Sequence, residues 1–136
     1  MVKLIMGLKG SGKTKQLVDL VKKAAEEENG DVICIEKDKN LTYDIPYTAR
    51  LIQASEYGVN TNALLRGFVS GLHAGNYDIT HVFIDGLYKL LDDTSDDAVA
   101  DFLAFLDEFS TREGLSFTIT ATAEPEKADA RIRKYF

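Results

Sequence analysis

Gly7-Leu8-Lys9-Gly10-Ser11-Gly12-Lys13-Thr14 is the stretch from which the rest of the chain can be read. It satisfies the pattern G-x-x-x-x-G-K-[ST], and its surroundings agree with it. The apolar run Val2, Leu4, Ile5, Met6 precedes it, and Leu17, Leu20, Val21 and Ala24 follow at helical spacing. Strand, glycine-rich turn and helix in that order have a chemical use. Gly7, Gly10 and Gly12 permit backbone conformations closed to residues with a Cβ, so successive N–H groups can turn inward around a phosphate. A helix beginning at Lys13 adds the positive end of its dipole. Lys13 has the reach for β and γ phosphates, and the Thr14 hydroxyl suits a magnesium ion whose other ligands are mostly water and phosphate oxygen. Lys9 adds charge at the mouth of the loop. The plain alternative is a glycine-rich turn before an ordinary helix.

Moving outward, 136 residues of which 45% are hydrophobic make one domain, with room for a five-stranded sheet covered by helices and for little else. Lys+Arg 16 against Asp+Glu 22 leaves a net charge of −6, which argues against general nucleic-acid binding. The single cysteine, Cys34, has no internal partner and lies in an apolar run, so a buried, reduced thiol is expected. Gly7 and Lys9 interrupt the first apolar run too early for a signal peptide, and no stretch approaches the length of a membrane span. A soluble, cytoplasmic protein is expected.

Val2 to Met6 reads as a buried strand and Lys13 to about Glu28 as the helix after the loop, closed by Asn29-Gly30. Val32-Ile33-Cys34-Ile35 is the near-continuous apolar run of a parallel strand covered on both faces, and it ends in Glu36. Residues 37–48 turn polar and read as a loop or short hairpin, with Leu41 to Ile45 extended. Arg50 to Ala54 is a weaker strand. Ala63, Leu64, Leu65, Phe68 and Leu72 recur at helical spacing; Gly67 and Gly71 within them imply a short helix or close packing.

His81-Val82-Phe83-Ile84-Asp85 is the second informative stretch, because it delivers an aspartate at the carboxyl end of an apolar strand, the form a Walker B motif takes. In an open parallel sheet that end lies beside the phosphate loop, where Asp85 can hold magnesium through water. The competing reading is a turn aspartate before Gly86. Asp92, Asp93, Asp96 and Asp97 read as capping residues for a helix carrying Val99, Phe102, Leu103, Leu106 and Phe109 to about Arg112. Leu115 to Ala121 is the last strand. Thr120 and Thr122 at its carboxyl end suit a sensor of the γ phosphate or a cap for the helix opened by Pro125. Strands alternating with helices imply an α/β three-layer sandwich, α/β/α, around a mostly parallel five-stranded sheet.

With both motifs placed, the chain resembles the P-loop nucleoside triphosphatases over nearly all of its length. It looks most like their RecA-like and thymidine-kinase-like branch, in which a later strand is inserted beside the phosphate-loop strand; residues 115–121 are that strand here. The resemblance implies ATP and Mg2+ as cofactors, Lys13 and Asp85 as catalytic residues, and Thr14 and Asp85 as the metal side chains. It also implies Glu36 as the base that activates water, by its place at the end of the strand after the loop helix. Many related proteins instead carry that glutamate directly after the Walker B aspartate, where this chain has Gly86. No N-K-x-D motif is present, so ATP is expected over GTP, and neither the L-S-G-G-Q signature of transporter ATPases nor a zinc-binding cysteine set is found. Short bacterial P-loop proteins, some labelled twitching-motility ATPases, are also similar to it, although a retraction motor needs a further domain. A stabilising arginine often comes from a neighbouring subunit in such sites, and Arg50, Arg66, Arg131 and Arg133 are the candidates. A protein partner or self-association is compatible with all of this. Two functions stand open: slow Mg-dependent ATP hydrolysis, or an ATP-dependent interaction switch without significant hydrolysis. A small-molecule kinase is disfavoured, since no arginine-rich lid segment is present.

Overall fold

The expected alternation is realised in a computed structural model that describes all of residues 1–136. In chain order come β1 (Val2–Gly7), α1 (Lys13–Glu27), β2 (Asp31–Glu36), β3 (Ala49–Gln53), α2 (Asn62–Gly75), β4 (Ile79–Ile84), α3 (Asp96–Glu113), β5 (Ser116–Thr122) and the short α4 (Ala130–Arg133). The sheet order is β1-β5-β4-β2-β3 and every pairing is parallel. β5 thus lies between the phosphate-loop strand and the strand that ends before Asp85, as the RecA-like resemblance implied. No helix is long and apolar enough to cross a membrane.

Strand alternation decides which side chains face which layer. Leu4, Ile33, Ile35, Val82, Ile84, Phe117, Ile119 and Ala121 join Leu65 and Val69 of α2 and Val99, Phe102, Leu103, Leu106 and Phe109 of α3 in the larger core. The opposite positions, Val32, Cys34, Ala49 and Phe83, pack under Leu17, Val18, Val21 and Ala24 of α1. Each fully buried large side chain of this kind contributes roughly 1.5–3 kcal/mol. Polar strand residues fall on the α1 side. Thr118 and Thr120 are buried there, and so is Glu36. That placement gathers these polar groups on the face carrying α1.

Several local expectations are revised. Leu41 to Ile45 is not extended: the amides of Asp44 and Ile45 both donate to the Leu41 carbonyl, and the turn buries Leu41 and Ile45 against α1. No helix lies between β2 and β3, so these two anchors close the α1-side core in its place. α2 runs for 14 residues despite Gly67 and Gly71, and a Cβ at either glycine would meet nothing within 4 Å, so close packing is not why they are there. Asp92 caps α2, not α3, by accepting from the Asn62 amide at 2.8 Å, while Ser95 accepts from Ala98 at the start of α3. Pro125 opens only a three-residue 3-10 turn, and helix resumes at Ala130.

Candidate active site

The loop from Gly7 to α1 is built as its glycines require. Gly10 and Gly12 have φ of 84° and 85°, the left-handed region that side chains avoid. A Cβ on Gly7 would stand 2.5 Å from Ser11 Oγ and 3.1 Å from Ser11 Cβ, so the loop packs closely on position 7 and a side chain there would displace Ser11. Inside the loop Ser11 N–H donates to the Leu8 carbonyl at 3.1 Å. The amides of Lys9, Gly10, Gly12, Lys13 and Thr14 have no main-chain acceptor. A run of unpaired donors at the first turn of a helix is what a polyanion needs. Lys13 Nζ donates to the Leu8 carbonyl at 3.1 Å, which folds the ammonium back over the same loop.

β4 brings Asp85 to this loop. Thr14 Oγ1 donates to Asp85 Oδ1 at 3.4 Å, a long bond between the two groups expected to serve a metal. A shorter bond fixes the aspartate from the other side, where Thr120 Oγ1 donates to the same oxygen at 2.7 Å. The Thr120 oxygen also accepts from Gly86 N–H at 2.8 Å, and Asp85 N–H donates to the Ile35 carbonyl at 2.9 Å. Strand pairing sets this up, because Ile84 of β4 faces Ile119 of β5 and the next residue of each is Asp85 and Thr120. Thr120 was legible as polar but not as the partner of Asp85. The signal available in the sequence was the alternation Ser116, Thr118, Thr120, Thr122 within an otherwise apolar strand.

Glu36 is brought to the same end of the sheet, next to Asp85, but its carboxylate is engaged elsewhere. Its side chain is buried, 2% exposed, and its two oxygens accept from the amides of Asn40 and Leu41 at 2.8–3.2 Å. Burial pushes its pKa above the usual carboxylate range; the two amides oppose that rise, and the Asp85 charge adds to it. Glu36 pins the start of the loop over α1, and its burial leaves the carboxylate little contact with water.

These observations fit a nucleoside triphosphate with its metal: a cradle that a Cβ would fill, a lysine over it, and a hydroxyl and carboxylate beside it. No group of three or more His, Cys, Asp or Glu side chains converges to hold a metal ion by itself. That agrees with a hard cation taking most of its ligands from phosphate and water. The family model for the ATPase family associated with various cellular activities, AAA, matches residues 3–136. The chain belongs to the AAA ATPase family. No curated protein matches it. Membership supports nucleotide binding by this AAA domain, and the all-parallel sheet with its inserted strand is that of a P-loop nucleoside triphosphatase.

Of the arginines considered for this AAA domain, two are engaged within the chain. Arg131 contacts Asp97 and Asp129, and Arg66 contacts Asp101. Arg50 and Arg133 form no ion pair. The sequence reading missed His81, which lies beneath α1 at the far end of β4. Its Nδ1 is 2.8 Å from Glu28 Oε2 and its Nε2 is 2.8 Å from Thr118 Oγ1. Burial lowers its pKa, opposed by Glu28, so the neutral ring donates from Nδ1 and accepts at Nε2. It is a strut between α1 and the sheet.

Proposed function

We propose that residues 1–136 form a single nucleotide-binding domain that binds ATP with Mg2+ and hydrolyses it slowly. The observation that carries this is the meeting of the open amides of the loop, Lys13, Thr14, Asp85 and Thr120 at the carboxyl end of one sheet. In this reading Gly7, Leu8, Lys9, Gly10, Ser11 and Gly12 form the loop around the phosphates, the open amides of Lys9, Gly10 and Gly12 donate to them, and Lys13 neutralises their charge. Thr14 and Asp85 face the metal, the latter through water, and Thr120 holds Asp85 in orientation. Bound Mg2+ supplies charge stabilisation at the phosphoryl oxygens. Loop, lysine and carboxylate together position and stabilise, and buried Glu36, bonded to the amides of Asn40 and Leu41, is not needed as a base in this reading. A cytoplasmic setting, where ATP is plentiful, belongs to the same proposal.

A second reading has an observation of its own. With Glu36 spent on Asn40 and Leu41 and with glycine after Asp85, binding without turnover is supported, that is, an ATP-dependent switch acting on a protein partner or a second copy. Phosphate release by the purified chain with ATP and Mg2+, with Lys13→Ala as control, separates the two. Release that disappears in Lys13→Ala supports the enzyme. Tight binding with no release above that control supports the switch. Absence of heat on titration with any purine triphosphate at millimolar concentration removes both.

A further inference from the structure

The residue after Asp85 is Gly86, with φ of 71°, and its carbonyl accepts from the Lys89 amide at 3.0 Å to close a tight turn. That turn folds the Lys89 side chain back. A Cβ placed on Gly86 would lie 3.3 Å from Lys89 Cδ and 3.8 Å from both Cγ and Cε. The space a side chain at position 86 would enter is therefore bordered by the aliphatic stem of Lys89. A carboxylate there would be the obvious base for a hydrolytic site. The chain instead carries Lys89 here, with its stem laid over the neighbour of Asp85 and its ammonium group exposed.

That ammonium has no ion-pair partner within the chain. Lysines of the neighbouring loops at the same end of the sheet are tied down: Lys39 lies 3.3 Å from Glu56, and Lys127 lies 3.3 Å from Glu124. Lys9 and Lys37 are unpaired too; what sets Lys89 apart is the packing of its stem on the residue that follows Asp85. Lys89 is exposed and unpaired, two steps of contact from the phosphate loop: its stem packs on Gly86, and the adjoining Asp85 accepts from Thr14. A compact cation on a flexible stem in that position is available to an anion bound at the loop.

We propose that Lys89 is a second phosphate-directed cation, contacting the terminal phosphate of a bound nucleoside triphosphate and so discriminating triphosphate from diphosphate. It supplies from within the chain part of the charge that an arginine lent by a neighbour supplies elsewhere. The inference rests on the nucleotide reading above and assigns a different residue to a different phosphate. Lys13, on the loop, meets both nucleotides; Lys89, at the strand tip, meets only the longer one.

Equilibrium titration of a non-hydrolysable ATP analogue and of ADP, each with Mg2+, tests this without relying on turnover. Lys89→Met keeps the packing stem and removes the charge. It is expected to weaken the analogue by about tenfold while leaving ADP within about twofold, and Lys89→Arg is expected to restore most of the loss. Lys13→Ala should lose both ligands. An unchanged analogue-to-ADP ratio in Lys89→Met overturns the proposal, as does an equal loss of both, which would mean general attraction. If the wild-type chain binds neither ligand, the nucleotide reading itself fails, a result distinct from either of these. Matching urea midpoints for Lys89→Met and wild type confirm that the comparison is made on folded protein.

Discussion

Replacing Thr120 by valine isolates the bond that holds Asp85. Valine has nearly the same shape, so the buried position stays filled and no cavity term enters. What disappears is a hydroxyl that donates to Asp85 at 2.7 Å and accepts from Gly86 N–H at 2.8 Å. A hydrogen bond to a charged acceptor contributes roughly 1.5–3 kcal/mol, and a buried donor left without an acceptor costs roughly 1–3 kcal/mol. Asp85 and Gly86 are only half-buried and regain some water, so the low end of each range applies and the sum is about 2–4 kcal/mol. At an m-value of about 2 kcal/mol per molar urea, the unfolding midpoint should fall by about 1–2 M. Thr120→Ser retains the hydroxyl and should fall much less. The same substitution should blunt the gain in nucleotide affinity on adding Mg2+, because an aspartate free to rotate no longer faces Thr14. A Thr120→Val midpoint within a few tenths molar of wild type, or a Thr120→Ser midpoint as low as that of valine, would refute the reasoning.

Gly67→Ala and Gly71→Ala should each stabilise the chain by about 0.5–1 kcal/mol, since both sit inside α2 with open space where the methyl would go; thermal unfolding would show it. Glu36→Gln should leave any phosphate release within about twofold, whereas loss of a general base costs 10²–10⁴-fold, so a drop of that size in folded protein would restore Glu36 as the base. Removal of both acceptors in Glu36→Ala should cost about 2–4 kcal/mol and expose the segment after β2 to proteolysis. His81 has a folded pKa below its ordinary value of 6.5, so the unfolded chain takes up its proton first. Its contribution is present above pH 6.5 and is lost as pH falls toward the depressed folded value. Glu36 runs the other way, gaining stability as pH falls from its raised pKa toward 4.5, so the wild-type profile mixes both. Urea midpoints of wild type and His81→Gln between pH 5 and 8 isolate the histidine: the difference between them should favour wild type less as pH falls, and a constant difference would exclude the assignment.

Much of this protein was legible without coordinates, for a physical reason. The phosphate loop is eight consecutive residues whose conformation depends on their own φ and ψ angles and on the absence of Cβ atoms, so Gly7 to Thr14 could be read locally. The β and α alternation could be read likewise, because periods of 2 and 3.6 are local properties, and Asp85 announced itself at the end of an apolar run. Strand order supplied the rest. Only the insertion of β5 between β1 and β4 sets Thr120 against Asp85 and Gly86. The register of the sheet puts Glu36 next to Asp85, and the turn at Leu41 brings the amides of Asn40 and Leu41 to its carboxylate, a pairing that the end of an apolar run does not announce. His81 found Glu28 and Thr118, and Lys89 folded over Gly86, through contacts that no spacing rule encodes. Local sequence set the donors for the phosphates; the packing of distant segments decided which carboxylates and cations remain free to act with them.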